Sequence, residues 1–151
     1  MEPLNVPEND AVELLDSEES NPLPQGELSL QFPASISDTN SYGDIFGGWL
    51  VKHMDTAAAV HAGRLAHGRI ATVSISQVEF LSPVLVGTLL SFYTRTVETG
   101  KSSMKIAVEV WAQCPDGTEF RKITEGLLVL VAINDEGHIR PLPTAYQRLG
   151  R

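Results

Sequence analysis

The residues best suited to chemistry in this 151-residue chain lie between Asn40 and Asp55, read as Asn-Ser-Tyr-Gly-Asp-Ile-Phe-Gly-Gly-Trp-Leu-Val-Lys-His-Met-Asp. A polar loop punctuated by glycine runs into an apolar helix that carries one carboxylate, Asp55, followed by Thr56-Ala57-Ala58-Ala59-Val60. Small apolar neighbours do not solvate a charge, and Lys52, three residues back, offers only a weak intrahelical pair. A buried carboxylate without a strong partner is costly, so chains tend to keep one where it does chemistry. It can abstract a proton or attack an electrophile directly. Upstream, Gly47 and Gly48 can present bare backbone N–H groups at a helix N-terminus, where the dipole favours negative charge. No Gly-x-Ser-x-Gly elbow supplies a serine nucleophile. His53, His61 and His67 do not form a His-x-x-x-His pair, so no metal is expected.

The elements that must position these residues follow from periodicity and punctuation. Leu28, Leu30 and Phe32 alternate with polar residues in a short strand stopped by Pro33. The loop from Ala34 to Phe46 is rich in turn formers: Asp38, Asn40, Gly43 and Asp44. The helix is expected from about Gly47 to Ala66, ended by His67-Gly68 with glycine in the stop position. Its small residues, Ala57 to Ala59, Ala62 and Gly63, allow close approach to a concave sheet. Four strands follow: Ile70 to Phe80, Thr88 to Glu98, Ser103 to Gln113 and Glu119 to Asn134. Leu127 to Ile133 is apolar at nearly every position, which predicts cover on both faces. Short turns join the last three strands, so they should pair as an antiparallel meander. The expected class is α+β, one long helix wrapped by about five antiparallel strands in the order β-α-β-β-β-β.

Charge divides the chain. Residues 1–27 hold eight acidic side chains and no Lys or Arg, so the whole net charge of −8 belongs to this leader; the remaining 11 acidic and 11 basic residues cancel. The leader reads as a disordered extension without the basic start or apolar run of a secretion signal. The domain proper is expected over 28–140, and residues 141–151, with Pro141 and Pro143, as an irregular tail. A neutral body offers no basic face to nucleic acid, and no apolar run reaches membrane-spanning length. The single cysteine, Cys114, precedes a Pro-Asp-Gly turn and fits a reducing, cytoplasmic compartment.

Several segments together carry a resemblance. They are Asp38-Thr39-Asn40 with Gly43-Asp44-Ile45-Phe46-Gly47-Gly48-Trp49, Met54-Asp55, His67-Gly68-Arg69, Thr72-Val73, Phe80 with Pro83-Val84, Val86-Gly87, Gly100-Lys101-Ser102-Ser103 and Val108-Glu109-Val110-Trp111. The chain is similar over residues 28–140 to the hot-dog-fold acyl-CoA thioesterases, and within them to the bacterial short-to-medium-chain (YciA-type) branch. Lys101 stands where close members of that branch carry Arg. The resemblance implies hydrolysis of acyl-CoA to free acid and coenzyme A, with Asp55 as general base or nucleophile and with Asn40, Gly47 and Gly48 around the thioester carbonyl. It also implies contacts to coenzyme A from Arg69, Thr72, Gly100, Lys101, Ser102 and Ser103. No cofactor is expected apart from the coenzyme A of substrate and product. The implied assembly is a homodimer as the minimal active unit, which a trimer of dimers would make a hexamer.

Spacing reaches the dimer independently. Asp55 lies eight residues beyond Gly47, about 12 Å along a helix at about 1.5 Å per residue. One carbonyl carbon cannot sit beside both. Two antiparallel helices from two subunits can bring one N-terminus to the other's carboxylate. Plainer readings stay open: Asp55 as a salt-bridged interface acid, Asn40 as a turn residue, Gly47 and Gly48 as packing glycines, and Lys101-Ser102-Ser103 as a polar hairpin turn. Two other functions also stay open. A hot-dog hydratase or dehydratase needs a His near the helix start, where the first available is His53; a non-catalytic acyl-CoA-binding regulator needs no Asp55 at all.

Overall fold

A computed structural model describes residues 23–45 and 47–150. The strand β1 covers Glu27–Pro33, the helix α1 Gly47–Ala66, and four further strands β2 Ile70–Phe80, β3 Leu89–Thr99, β4 Ser103–Gln113 and β5 Phe120–Ala132. They form one antiparallel sheet in the order β1-β3-β4-β5-β2. The meander β3-β4-β5 forms as the short turns require. Strand β2 crosses over to pair with β5, so β1 and β2 are the two sheet edges. The order of elements and the helix bounds match the sequence reading. Two strands start and stop slightly differently, because Thr88 closes the 85–88 turn through its N–H to the Leu85 carbonyl and β5 ends at Ala132.

Helix α1 lies across the inner face of the sheet on a stripe of Met54, Ala57, Ala58, Ala62 and Ala66, each fully buried. Phe92, Ile106, Val108, Leu128 and Leu130 meet it from the strands. The alanines allow the backbone to seat close to the sheet, where larger side chains would hold it off. Gly126 marks the closest approach: a Cβ there would come within 3.2 Å of the Met54 methyl and 3.1 Å of Val78.

The helix ends differently from the sequence expectation. His67, not glycine, takes the left-handed conformation, with φ 55°. Gly68 follows at φ 159°, and a Cβ there would lie 2.8 Å from the Arg140 guanidinium and displace it. That guanidinium caps the helix by donating from Nη2 to the Ala66 carbonyl at 2.8 Å. Strand β5 also departs from expectation. Leu128, Leu130 and Ala132 are buried but Leu127, Val129 and Val131 are only half-buried, so the protomer covers one face of the strand. Edge strand β2 is barer still: Val73 is 60% and Ile75 40% exposed.

The expectation of an acidic, disordered leader falls for residues 1–22 outside the described residues. Glu27 already belongs to β1 and pairs with Arg64 at 3.5 Å. The segment after Gly137 contains one single-turn 3-10 helix, Thr144–Tyr146, yet it packs down, with Leu142 only 2% exposed. Among the described residues no helix is long and apolar enough to cross a membrane.

A polar network that the sequence reading missed joins helix to sheet. His61 is buried, with Nδ1 2.9 Å from the Thr94 hydroxyl and Nε2 2.8 Å from that of Thr96. Its position seven residues after Met54, on the same helical face, was the available signal. Burial holds the imidazole below its ordinary range; the Glu27 carboxylate opposes this and Arg64 adds to it. The unfolded chain therefore binds this proton more readily. The stabilisation is fully present above the unfolded pKa of about 6.5 and is lost as pH falls through it, levelling off below the folded value. Between about pH 7.5 and pH 5.5 the thermal midpoint should fall, and fall less in His61→Gln. Equal pH slopes in the two proteins would contradict this.

Candidate active site

Asp55 sits at the edge of the side of α1 that the sheet leaves open, half-buried in the protomer and beside edge strand β2. The expected isolation of this carboxylate does not hold. The Thr72 hydroxyl donates to Asp55 Oδ1 at 2.6 Å, and the buried Ala58, Ala62 and Ala66 run along the same flank of the helix, so the carboxylate sits at the border between the sheet-facing and open sides. Thr72 therefore orients Asp55 in this structure, whereas the sequence reading assigned it to the ligand. Lys52 is exposed and forms no ion pair with Asp55. With Oδ1 held by Thr72, Asp55 Oδ2 has no partner among the described residues.

Asn40 lies in an exposed turn whose geometry it dictates. Its side-chain Oδ1 accepts from the backbone N–H of Tyr42 at 2.9 Å and of Asp44 at 3.1 Å. Its own N–H donates to the Asp44 carbonyl at 2.8 Å, and its carbonyl accepts from Gly43 at 3.0 Å. The turn reading and the site reading are compatible: with the amide oxygen spent on the turn, the orientation is fixed and the Nδ2 group is left as a donor.

Gly47 opens α1, and the first amides of any helix lack an intrahelical acceptor. A Cβ on Gly47 would stand 2.9 Å from the tip of the Phe80 ring, which would have to shift. Gly48 is exposed beside it. Ile45, Leu50, Phe80, Leu81, Pro83 and Val84 line an apolar cleft of about 390 Å³ against Gly47. Trp49 is buried and, with Phe32 and Phe92, encloses His53 at ring-centroid distances of 4.4, 4.8 and 6.4 Å. Burial first, and then Lys52, lowers the His53 pKa, while Asp38 opposes.

The sheet register separates these groups within one chain. Thr72 pairs with Leu130, Leu130 with Met104, and Met104 with Thr99. Asp55 and Thr72 thus lie at the end of the sheet that carries the turn from Gly100 to Ser103. Phe80, which covers Gly47, pairs with Thr124, and Thr124 with Val110, near the other end. The carboxylate and the helix N-terminus are on opposite halves of the protomer, as the eight-residue spacing requires.

The turn itself closes with the Gly100 N–H on the Ser103 carbonyl at 2.9 Å. Lys101 is exposed, makes no ion pair among the described residues, and is followed by half-buried Ser102 and Ser103. Arg69 is partly committed: its Nη1 donates to the carbonyls of Asn134 at 3.2 Å and Asp135 at 2.7 Å. Arg95 lies on the sheet face away from the helix, in a cleft with Gln77, Glu109 and Glu125, remote from the Lys101 turn. Among the described residues no three His, Cys, Asp or Glu side chains converge as a metal site.

Comparison with known proteins identifies the family of the chain. Residues 42–117 match the family model of the thioesterase superfamily. The acyl-CoA thioester hydrolase YciA of Salmonella typhimurium is 46% identical over 124 residues, spanning 80% of this chain and 92% of that protein. A hexameric thioesterase from Yersinia pestis superposes with a TM-score of 0.78 at 43% identity, over 81% of this chain and 99% of the other. A hexameric hotdog fold thioesterase of Campylobacter jejuni gives 0.75 at 34% identity, over 80% and 93%.

Proposed function

Because this chain belongs to the thioesterase superfamily, we propose that it hydrolyses acyl-CoA to a free acid and coenzyme A. The observation that carries the reading is the Thr72-held carboxylate of Asp55 at the edge of the open side of α1, with Oδ2 left available. Asp55 Oδ2 takes a proton from a water as that water attacks the thioester carbon, or attacks the carbon itself; both roles need the ionised group. Charge developing on the carbonyl oxygen is met by the N–H groups of Gly47 and Gly48 and by Asn40 Nδ2. Collapse of the tetrahedral species breaks the C–S bond, and the thiolate of coenzyme A leaves and takes up a proton; where Asp55 has attacked directly, water then hydrolyses the resulting mixed anhydride to the free acid and restores the carboxylate. The apolar cleft beside Gly47 accepts the acyl chain.

Asp55 of one subunit works with Asn40 and Gly47 of a second. The surface available for that pairing is the bare edge of β2 with Val73 and Ile75, continuous with the open side of α1, where Val60 is 37% exposed. An unpaired apolar edge of this kind favours association with another strand. The proposed assembly is a homodimer, carried into a hexamer as in the hexameric relatives. The proposed compartment is the cytoplasm, consistent with a single cysteine, Cys114, that forms no disulfide. The test is release of free thiol from acyl-CoAs of graded chain length. Absence of thiol release from every chain length, by folded protein that binds coenzyme A, would overturn the reading.

Coenzyme A phosphates are proposed to meet the Lys101 and Ser102 side chains and N–H groups in the turn from Gly100 to Ser103, with Arg69 and its free guanidinium nitrogens nearby. Lys101→Ala should therefore raise KM for acyl-CoA with little change in kcat, the signature of lost uniform binding. The difference from wild type should shrink as salt rises, since the contact is itself screened. An unchanged KM would put the nucleotide elsewhere on the surface.

A further inference from the structure

The C-terminal segment is bonded to the back of the turn assigned above to coenzyme A. The Leu142 N–H donates to the Lys101 carbonyl at 2.8 Å, the Arg148 N–H to the Gly100 carbonyl at 3.0 Å, and the Thr99 N–H to the Leu149 carbonyl at 2.9 Å. At the centre is the Thr99 side chain, 1% exposed. Its hydroxyl donates to the Tyr146 carbonyl at 2.6 Å and accepts from the Leu149 N–H at 2.8 Å. Both capacities of one buried hydroxyl are thus spent on a segment some fifty residues away in sequence. The segment fits backbone to backbone: Gly150 has φ 77°, and a Cβ there would lie 2.4 Å from the Val97 carbonyl oxygen. Its middle meets the helix terminus, where the Tyr146 ring lies edge-on to the His67 ring at 6.0 Å.

We propose that Thr99 is a positioning residue: through its hydroxyl, the C-terminal segment holds the turn from Gly100 to Ser103 in the shape that grips coenzyme A. This rests on the assignment of that turn to the phosphates. A hairpin turn with Gly100 at its start has several backbone conformations open to it. Bonds to both carbonyls behind it, at Gly100 and Lys101, select one of them and turn its amides and Lys101 outward together. Without the hydroxyl the substrate has to order the turn on binding, which costs affinity and leaves the bond-breaking step alone.

Thr99→Val keeps the shape and removes the hydroxyl. It should raise KM for acyl-CoA, and Kd for coenzyme A by calorimetry, about three- to tenfold, the range of one net hydrogen bond, with kcat within about twofold. Thr99→Ser should restore both constants. Leu149→Pro removes the N–H from the far side at an exposed position and also restricts Arg148, which precedes it at φ 58° and donates to the Gly100 carbonyl, so it should raise KM at least as far as Thr99→Val, and the double variant should show less than the product of the two effects. Unchanged KM in both single variants, or a fall in kcat at constant KM, overturns the proposal, as does failure of Thr99→Ser to restore. Lys101→Ala run in parallel separates the two layers. If it raises KM and the Thr99 and Leu149 variants do not, only the positioning role falls; if it leaves KM unchanged, the assignment of the turn falls and this inference with it.

Discussion

Asp55→Asn should lower kcat by at least about 10²–10⁴-fold, the usual worth of general-base assistance, while the protein folds and binds coenzyme A as before. The substitution is nearly isosteric, and an amide oxygen can still accept from the Thr72 hydroxyl, now at 2.6 Å from Oδ1. What the variant loses is the ionised group and its capacity to take a proton. Asp55 is half-buried with a hydrogen-bonded partner, so the thermal midpoint should change little. A variant that folds, binds coenzyme A and turns over within a few-fold of wild type would remove Asp55 from the chemistry. Thr72→Val should give a smaller loss of kcat, because it frees the carboxylate to rotate without removing it.

Coexpressed Asp55→Ala and Asn40→Ala subunits should recover activity that neither variant has alone. In a two-fold symmetric dimer each site takes Asp55 from one chain and Asn40 from the other, so a mixed dimer keeps one intact site of two. Random mixing at equal amounts makes half the dimers mixed, and the expected activity is about a quarter of wild type. That stands far above parents each reduced to a small residue. Mixed dimers isolated through two different tags, with activity no higher than either parent, would place Asp55 and Asn40 in one chain's site and contradict the register of the sheet, which holds Thr72 and Phe80 on opposite halves.

Local elements were legible in the sequence because their signals are local. The helix announced itself through Gly47-Gly48 at one end and His67-Gly68 at the other, and the strands through β-branched runs broken by Val86-Gly87 and Gly100. The place of β2 was not legible, since its pairing with β5 joins Ile70 to Ala132, residues far apart in sequence. The same limit hid the partner of Asp55. Thr72 lies 17 residues on, and nothing in helical spacing brings it to the carboxylate. The reading of Asp55 as an isolated acid followed from counting only helical neighbours, and a strand supplied what the helix lacked. The C-terminal segment shows the converse: its prolines and missing periodicity spoke correctly against regular structure, yet carried no sign that Leu142 enters the core or that Thr99 waits for Tyr146 and Leu149. Asn40 was legible as a turn former, and its side chain does hold the turn through the Tyr42 and Asp44 N–H groups.

The hydratase alternative depends on a histidine near the helix start. His53 is packed among Phe32, Trp49 and Phe92, and the acid whose charge reaches it, Asp38, is bonded through Oδ2 to Ser35. The most direct test of the central claim follows from this. A 3-hydroxyacyl-CoA offers the protein both reactions at once, since its thioester can be hydrolysed or its hydroxyl eliminated. Products from short-, medium- and long-chain 3-hydroxyacyl-CoAs, resolved by mass spectrometry, should be coenzyme A with a free thiol and the 3-hydroxy acid in equal amounts, and both should disappear in Asp55→Asn. Formation of a 2-enoyl-CoA with its thioester intact would contradict the account.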